Sequence, residues 1–187
     1  MGEKRSEETI TLGSGTLYFE AYTDKIPTFA EMETFCVAEK RLGHIKGGAG
    51  LTYTEETHTE KDDLGVVSKT ITTSEDVKLK CGLITWNGNT IDVLVDRSKV
   101  TEEGGVRTTK IGGAGNAKGK YYVLVFHHKD EADGDLWVVI VGRNTAGLSL
   151  TFATDNGSTI EPEFTAKPHD DDGTLVTIYE EIGTAAE

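Results

Sequence analysis

The sequence predicts a mainly β protein, a sandwich-like or barrel-like fold with one flanking α-helix and a long inter-strand loop. Three observations point there. The 187 residues include 22 Gly but only three Pro, alongside many Thr and Val, and strands and tight turns use these residues where long helices do not. Apolar and polar residues alternate with period two, most strictly in Val77-Lys-Leu-Lys-Cys-Gly-Leu83. Turn signals recur at roughly 8–12-residue spacing, the rhythm of sandwiches and barrels. A chain of this length is expected to form one domain over residues 1–187 and to bury roughly 70% of its unfolded surface. An N-terminal arm is expected at about 1–9, a long loop at about 23–44 and a short tail at 183–187.

The elements follow in order. Strands are expected at Thr9–Leu12 and Gly15–Tyr22, where Leu17, Phe19 and Ala21 alternate with Thr16, Tyr18 and Glu20. In Thr23–Leu42 the spacing of Phe29, Met32, Phe35 and Cys36 fits a short amphipathic helix packed on its own sheet. It fits equally a long loop whose apolar residues, Phe29, Met32, Phe35 and Val37, are there to be covered by a partner. A strand with Leu51 and Tyr53 on one face runs to about Glu60. Asp62-Asp-Leu-Gly65 is a turn in which Gly65 supplies a positive φ, and Val66–Thr73 returns as the second strand of a hairpin. Val77–Leu83 is half-buried. Asn87-Gly-Asn89 offers an N-cap to a helix over Thr90–Asp96 with Ile91, Leu94 and Val95 on one face. Strands are then expected at Val106–Ile111, Lys120–His128, Asp135–Val141, Leu148–Thr154, Ile160–Ala166 and Thr174–Glu181. Asp155-Asn-Gly157 reads as a hairpin turn between two of them.

The net charge of −13, from 32 acidic and 19 basic residues, argues against tight nucleic-acid binding, which needs clustered Lys and Arg on phosphates. It argues equally against attraction to anionic membranes. No apolar run approaches the roughly 20 residues of a spanning helix. Without a recognisable secretory leader, Cys36 and Cys81 are expected to be reduced and buried rather than bridged.

Chemistry-bearing patterns are weak. Ala114-x-x-x-x-Gly119-Lys120 has phosphate-loop spacing, but Tyr121 stands where a Ser or Thr must ligate magnesium. The Tyr-Tyr-Val-Leu-Val-Phe run that follows is a strand, so the glycines mark a turn. His127 and His128 are adjacent on a strand and point to opposite faces, which prevents them from sharing a metal. Asp170–Asp172 lacks EF-hand spacing and reads as an acidic turn. Neither cysteine nor any serine lies in a nucleophile motif. Trp86 and Trp137 suit a sugar-stacking platform, although Trp137 opens an apolar run that suits burial better. No catalytic residue, metal or cofactor is expected.

In order along the chain stand Arg41-Leu-Gly-His-Ile-Lys-Gly-Gly48 with Leu51-Thr-Tyr53, Lys61-Asp-Asp-Leu-Gly65 with Val67-Ser-Lys-Thr70, and Leu83-Ile-Thr-Trp-Asn-Gly-Asn89. Thr109-Lys-Ile-Gly-Gly113, Phe126-His-His-Lys-Asp130, Ala132-Asp-Gly-Asp135, Thr145-Ala-Gly147 and Asp172-Gly-Thr-Leu175 follow. Taken together, over about residues 10–182, these segments resemble the major tail tube proteins of long, non-contractile phage tails. Phe29–Glu39 is more apolar than that pattern.

The resemblance implies a virion structural protein, made in the bacterial cytoplasm and incorporated into the tail. Its subunits would form hexameric rings that stack into a tube around a tape-measure protein, between initiator and terminator proteins, with double-stranded DNA passing only in transit. Thr52, Thr54, Glu56 and His58, polar on one strand face, are the candidates to line a lumen expected to be acidic. Two other readings stay open: a monomeric carbohydrate-binding or adhesin-like β-sandwich, and the inner tube of a contractile injection system.

Overall fold

The computed structural model describes residues 13–182, apart from 153, 155 and 156, together with residue 11. The expectations for the N-terminal arm, most of Thr9–Leu12, the Asp155-Asn-Gly157 turn and the C-terminal tail lie wholly or partly outside the described residues.

The protein is mainly β. Its strands are β1 (Thr16–Ala21), β2 (Arg41–Gly43), β3 (Ile45–Lys61), β4 (Ser68–Leu83), β5 (Ser98–Glu103), β6 (Val106–Ile111), β7 (Tyr122–His128), β8 (Leu136–Asn144), β9 (Glu163–Ala166) and β10 (Val176–Glu180). Two short helices, α1 (Met32–Phe35) and α2 (Gly88–Leu94), complete it. All pairings are antiparallel, in the order β2-β1-β7-β8-β9-β4-β3, while β5 and β6 form a separate two-stranded ribbon. The free edge of β8 is shared: its first half pairs with β10 and its last three residues pair with β9.

His44 alone separates β2 from β3, so the strand order begins and ends on one continuous stretch of chain. The sheet therefore curls round and closes on itself through Leu17↔Gly43 and Tyr18↔Arg41 on one side and Ile45↔Leu83 on the other. Closure brings backbones together. A Cβ on Gly43 would collide with the Thr85 carbonyl oxygen, which explains the absence of a side chain there.

Two apolar layers result, one on each face of the central strands. Leu17, Leu42, Leu79, Leu83, Leu124, Ile140 and Phe164 fill the interior of the curl. Val123, Val125, Trp137, Val139 and Val141 form the second layer, which Met32 and Phe35 cover. Because β7 and β8 are buried on both faces, they read as near-continuous apolar runs, whereas β4 alternates.

Four expectations change. Val66–Thr73 and Val77–Leu83 are one strand, β4, continuous through a register shift opposite Glu56 and Thr57; a bulge absorbs the extra residue without breaking the ladder. Leu148–Thr154 is not a strand where it is described. Leu148 and Leu150 instead pack on the inner core, and Phe152 meets Trp86 edge-on. The expected strand Ile160–Ala166 is reduced to a bridge at Ile160 plus β9, because Pro162 lacks an N–H for the ladder. Finally, α2 starts two residues earlier than expected. Asn87, not a later residue, is the N-cap, its side chain accepting from the Asn89 and Thr90 N–H groups at 2.9 and 3.1 Å.

Candidate assembly surface

The β3–β4 hairpin dominates the exposed surface. Thr, Ile, Val and Tyr at its positions favour the extended backbone, and Asp62-Asp63-Leu64-Gly65 turns it. Gly65 adopts φ 67° and donates to the Asp62 carbonyl at 2.9 Å, while the Asp62 side chain accepts from the Val67 N–H at 2.7 Å. From Val77 onward β4 buries Val77, Leu79, Cys81 and Leu83. Toward the tip the hairpin leaves the body, and every described residue from Gly50 to Glu75 is exposed.

Two features of this hairpin are unusual for an isolated subunit. β3 lies at the end of the sheet order and pairs only with β4, so among the described residues no strand covers its outer edge. Such a row of unpaired N–H and C=O groups is a template for another chain. At the tip, Leu64, Val66 and Val67 are 86%, 79% and 67% exposed, with Ile71 also exposed nearby.

Thr52, Thr54, Glu56 and His58 do share one face. Their partners across the ladder are Lys78, Asp76, Ser74 and Ile71, because the bulge keeps the β3 alternation in phase. This face points away from the inner core and carries both signs of charge. Two of its lysines lie beside carboxylates: Lys78 is 3.5 Å from Asp76 and 3.4 Å from Glu163, and Lys80 is 3.5 Å from Glu161, while the exposed Lys69 stands opposite Glu60. The Glu163 hydrogen bond and charge raise the Lys78 pKa. The opposite face carries Tyr53 and the directly opposed Glu55 and Glu75. Tyr53 donates its hydroxyl to Glu75 at 2.7 Å, and that bond helps push the phenol up to about 12.

The four loop candidates separate. Met32 and Phe35 are buried in the second apolar layer, Val37 is half-buried, and only the Phe29 ring is exposed, at 49%. Even Phe29 sits edge-on to Trp137 at 5.5 Å. The segment is held by a capping box in which Thr28 gives its backbone N–H and hydroxyl to the Glu31 carboxylate at 2.8 and 2.9 Å. Those bonds hold the Glu31 pKa below the ordinary carboxylate value. Tyr179 donates to the Pro27 carbonyl at 3.2 Å. The packing of Met32 and Phe35 thus follows the reading of this stretch as a short helix lying on its own sheet.

Sequence reasoning did not single out the β5–β6 ribbon. Its register sets Lys99 directly opposite Lys110, and both are exposed. On the other face Arg107 is paired with Glu102 at 2.7 Å and leans on Gly88 of α2. The signal was present in the sequence as two lysines flanking a Gly-Gly turn, but only the register makes them neighbours.

The chemistry candidates resolve into structural roles. His127 bonds Asp135 at 2.8 Å and stacks on Trp137 at 4.8 Å between centroids. His128 is buried on the opposite face, bonding the Ser14 carbonyl at 2.8 Å. Burial pushes the Cys36 thiol up to about 11 and the Cys81 thiol up to about 12, so neither supplies a thiolate at neutral pH. In the glycine-rich loop, Lys118 is bound to Asp92 at 2.8 Å and to Ser98 at 3.0 Å, and the Gly119 N–H is bound to Asp96 at 2.7 Å. That loop is an anchored turn. Asp170 closes its own turn by accepting from the Thr174 N–H at 2.8 Å, and its bonds to Thr174 lower its pKa. Trp137 is buried, and Trp86 packs against the inner core. Among the described residues no group of three or more His, Cys, Asp or Glu is placed to hold a metal ion, and no helix is long and apolar enough to cross a membrane.

No protein-family model matches the chain, and no curated protein matches it either.

Proposed function

We propose that this chain is a structural subunit that polymerises through its β3–β4 hairpin and open β3 edge. The product would be stacked, hexameric rings forming the tail tube of a long, non-contractile phage tail. The observation that carries the reading is the hairpin itself: strands of 17 and 16 residues, an uncovered outer edge, and an apolar tip projecting into solvent. An isolated subunit gains nothing from such an element. Edges of this length are normally blunted or covered, and covering them with further copies of the same chain satisfies every copy at once.

The tail-tube assignment extends the sequence resemblance, and with it come the proposed partners: a tape-measure protein within the lumen, initiator and terminator proteins at the ends, and DNA in transit. The Thr52/Thr54/Glu56/His58 face suits a lumen wall. On it Lys78 and Lys80 lie beside carboxylates and Lys69 stands opposite Glu60, so it offers passing phosphates few free cations to bind.

The purified protein, concentrated and incubated alone and with a tail initiator complex, is expected to give hollow rings or tubes of uniform diameter by negative-stain electron microscopy. A persistent monomer under both conditions would overturn the proposal and favour a binding module.

A further inference from the structure

The register of two hairpins places like charges face to face, with opposite sign in the two places. Glu55 lies opposite Glu75 on β3–β4, and Lys99 lies opposite Lys110 on β5–β6. Directly opposed like charges destabilise a ladder. Glu55 and Glu75 are eased only by neutral donors, the hydroxyls of Thr72 at 2.5 Å and Tyr53 at 2.7 Å. Among the described residues neither Lys99 nor Lys110 has a carboxylate within ion-pair distance. All four side chains are exposed.

The surrounding fields agree with the pairs. Residues 54–76 carry seven carboxylates against two lysines, whereas on the ribbon Arg107 is paired with Glu102 and the face of Lys99 and Lys110 carries the single carboxylate of Glu103. In an acidic protein the ribbon is thus a local positive patch, and the long hairpin is the most acidic projecting element. Lys99 and Lys110 lie on the ribbon face turned away from α2, because Arg107 and Thr109, on the other face, are the ones that meet Gly88.

We propose that the Glu55/Glu75 face of one copy docks on the Lys99/Lys110 face of a second copy, each pair neutralising the other. The occupant of the ribbon is therefore this same chain. Because the two surfaces differ, the contact is heterologous and leaves a free hairpin and a free ribbon at the ends of every chain of copies, so it propagates. The inference rests on the assembly reading above and deepens it by naming the two surfaces that meet.

The test uses sedimentation velocity of the full chain at 50 and 500 mM NaCl. It compares the unaltered protein with K99E/K110E, with E55K/E75K, and with an equimolar mixture of the two variants. Each variant keeps a like-charged pair within its own hairpin, so circular dichroism should be unchanged in both and the unfolding midpoint unchanged in K99E/K110E. E55K/E75K also gives up the bonds from the Tyr53 and Thr72 hydroxyls, because lysine cannot accept them, and recovery of association in the mixture shows that this variant is folded. Each alone has surfaces that repel and should associate at least tenfold more weakly, and high salt should weaken the unaltered protein. In the mixture every alternating contact is again complementary, so association should return. If both variants assemble like the unaltered protein, or if mixing restores nothing, this pairing is wrong while the assembly reading stands. If the unaltered protein stays monomeric at every concentration, with a tail initiator complex as well as without one, the assembly reading falls and takes this pairing with it.

Discussion

Replacing the hairpin tip by L64S/V66S/V67S separates subunit stability from assembly. Fully burying a Val or Leu side chain is worth about 1.5–3 kcal/mol relative to leaving it exposed. Leu64, Val66 and Val67 retain most of their surface in the subunit, so nearly all of that free energy is unrealised until another surface covers them. Allowing for incomplete cover, the three together are worth about 4 kcal/mol of association, close to a thousandfold in Kd. The turn itself is held by Asp62 and Gly65, which the substitutions leave intact, and exposed changes of this kind shift folding by about 0.5 kcal/mol or less. Urea unfolding followed by circular dichroism is therefore expected to be superimposable with that of the unaltered protein, while sedimentation and electron microscopy show loss of polymers. Normal tube formation by the triple variant would refute the role of the tip. A large drop in subunit stability would refute the view that the tip contributes nothing to the isolated fold.

Two further outcomes follow from packing and titration. Phe35→Ala is expected to cost about 3–5 kcal/mol of folding stability and Met32→Ala about 2–5 kcal/mol, because both cap the outer apolar layer; unfolding midpoints that do not move would mean the segment is only an assembly loop. Burial lowers the His169 pKa, so the fold favours the neutral ring. Stability is then full above the ordinary imidazole value of about 6.5. It falls as pH drops from there toward the lower folded value, levelling off below it. H169Q, whose amide reaches the place of the Nε2 that meets Thr177, should retain a partner for that hydroxyl and flatten that part of the profile, and identical pH profiles would exclude the assignment.

Much of the fold is legible in the residues themselves. Period-two alternation in Val77–Leu83, the β-branched runs of β7 and β8, and the Asp-Asp-Leu-Gly turn are local signals, because backbone propensity and side-chain alternation act over a few residues. The bounds of β6 coincide with those expected, and the polar face of β3 follows from the same alternation. Local pattern also excluded the phosphate loop, since the residues after Gly119-Lys120 lead into a strand, β7, and not into a helix.

Other features depend on which segments meet. Nothing in Phe29, Met32 and Phe35 distinguishes an apolar stripe awaiting a partner from one already covered. That was decided by Trp137, Val139 and Val141 presenting a second apolar face to receive it. The fusion of two expected strands into β4 came from a bulge opposite Glu56 and Thr57, whose effect on register is felt only across the ladder. Closure of the sheet depends on the break at His44, across which the consecutive strands β2 and β3 pair with Leu17 and Leu83, partners more than sixty residues apart in the chain. The opposed pairs Glu55/Glu75 and Lys99/Lys110 are likewise properties of register. By itself, the sequence determined which residues form strands and turns, since those preferences are local. The tertiary structure decided which apolar surfaces are already satisfied and which charges stand opposed, since both depend on neighbours distant in the chain.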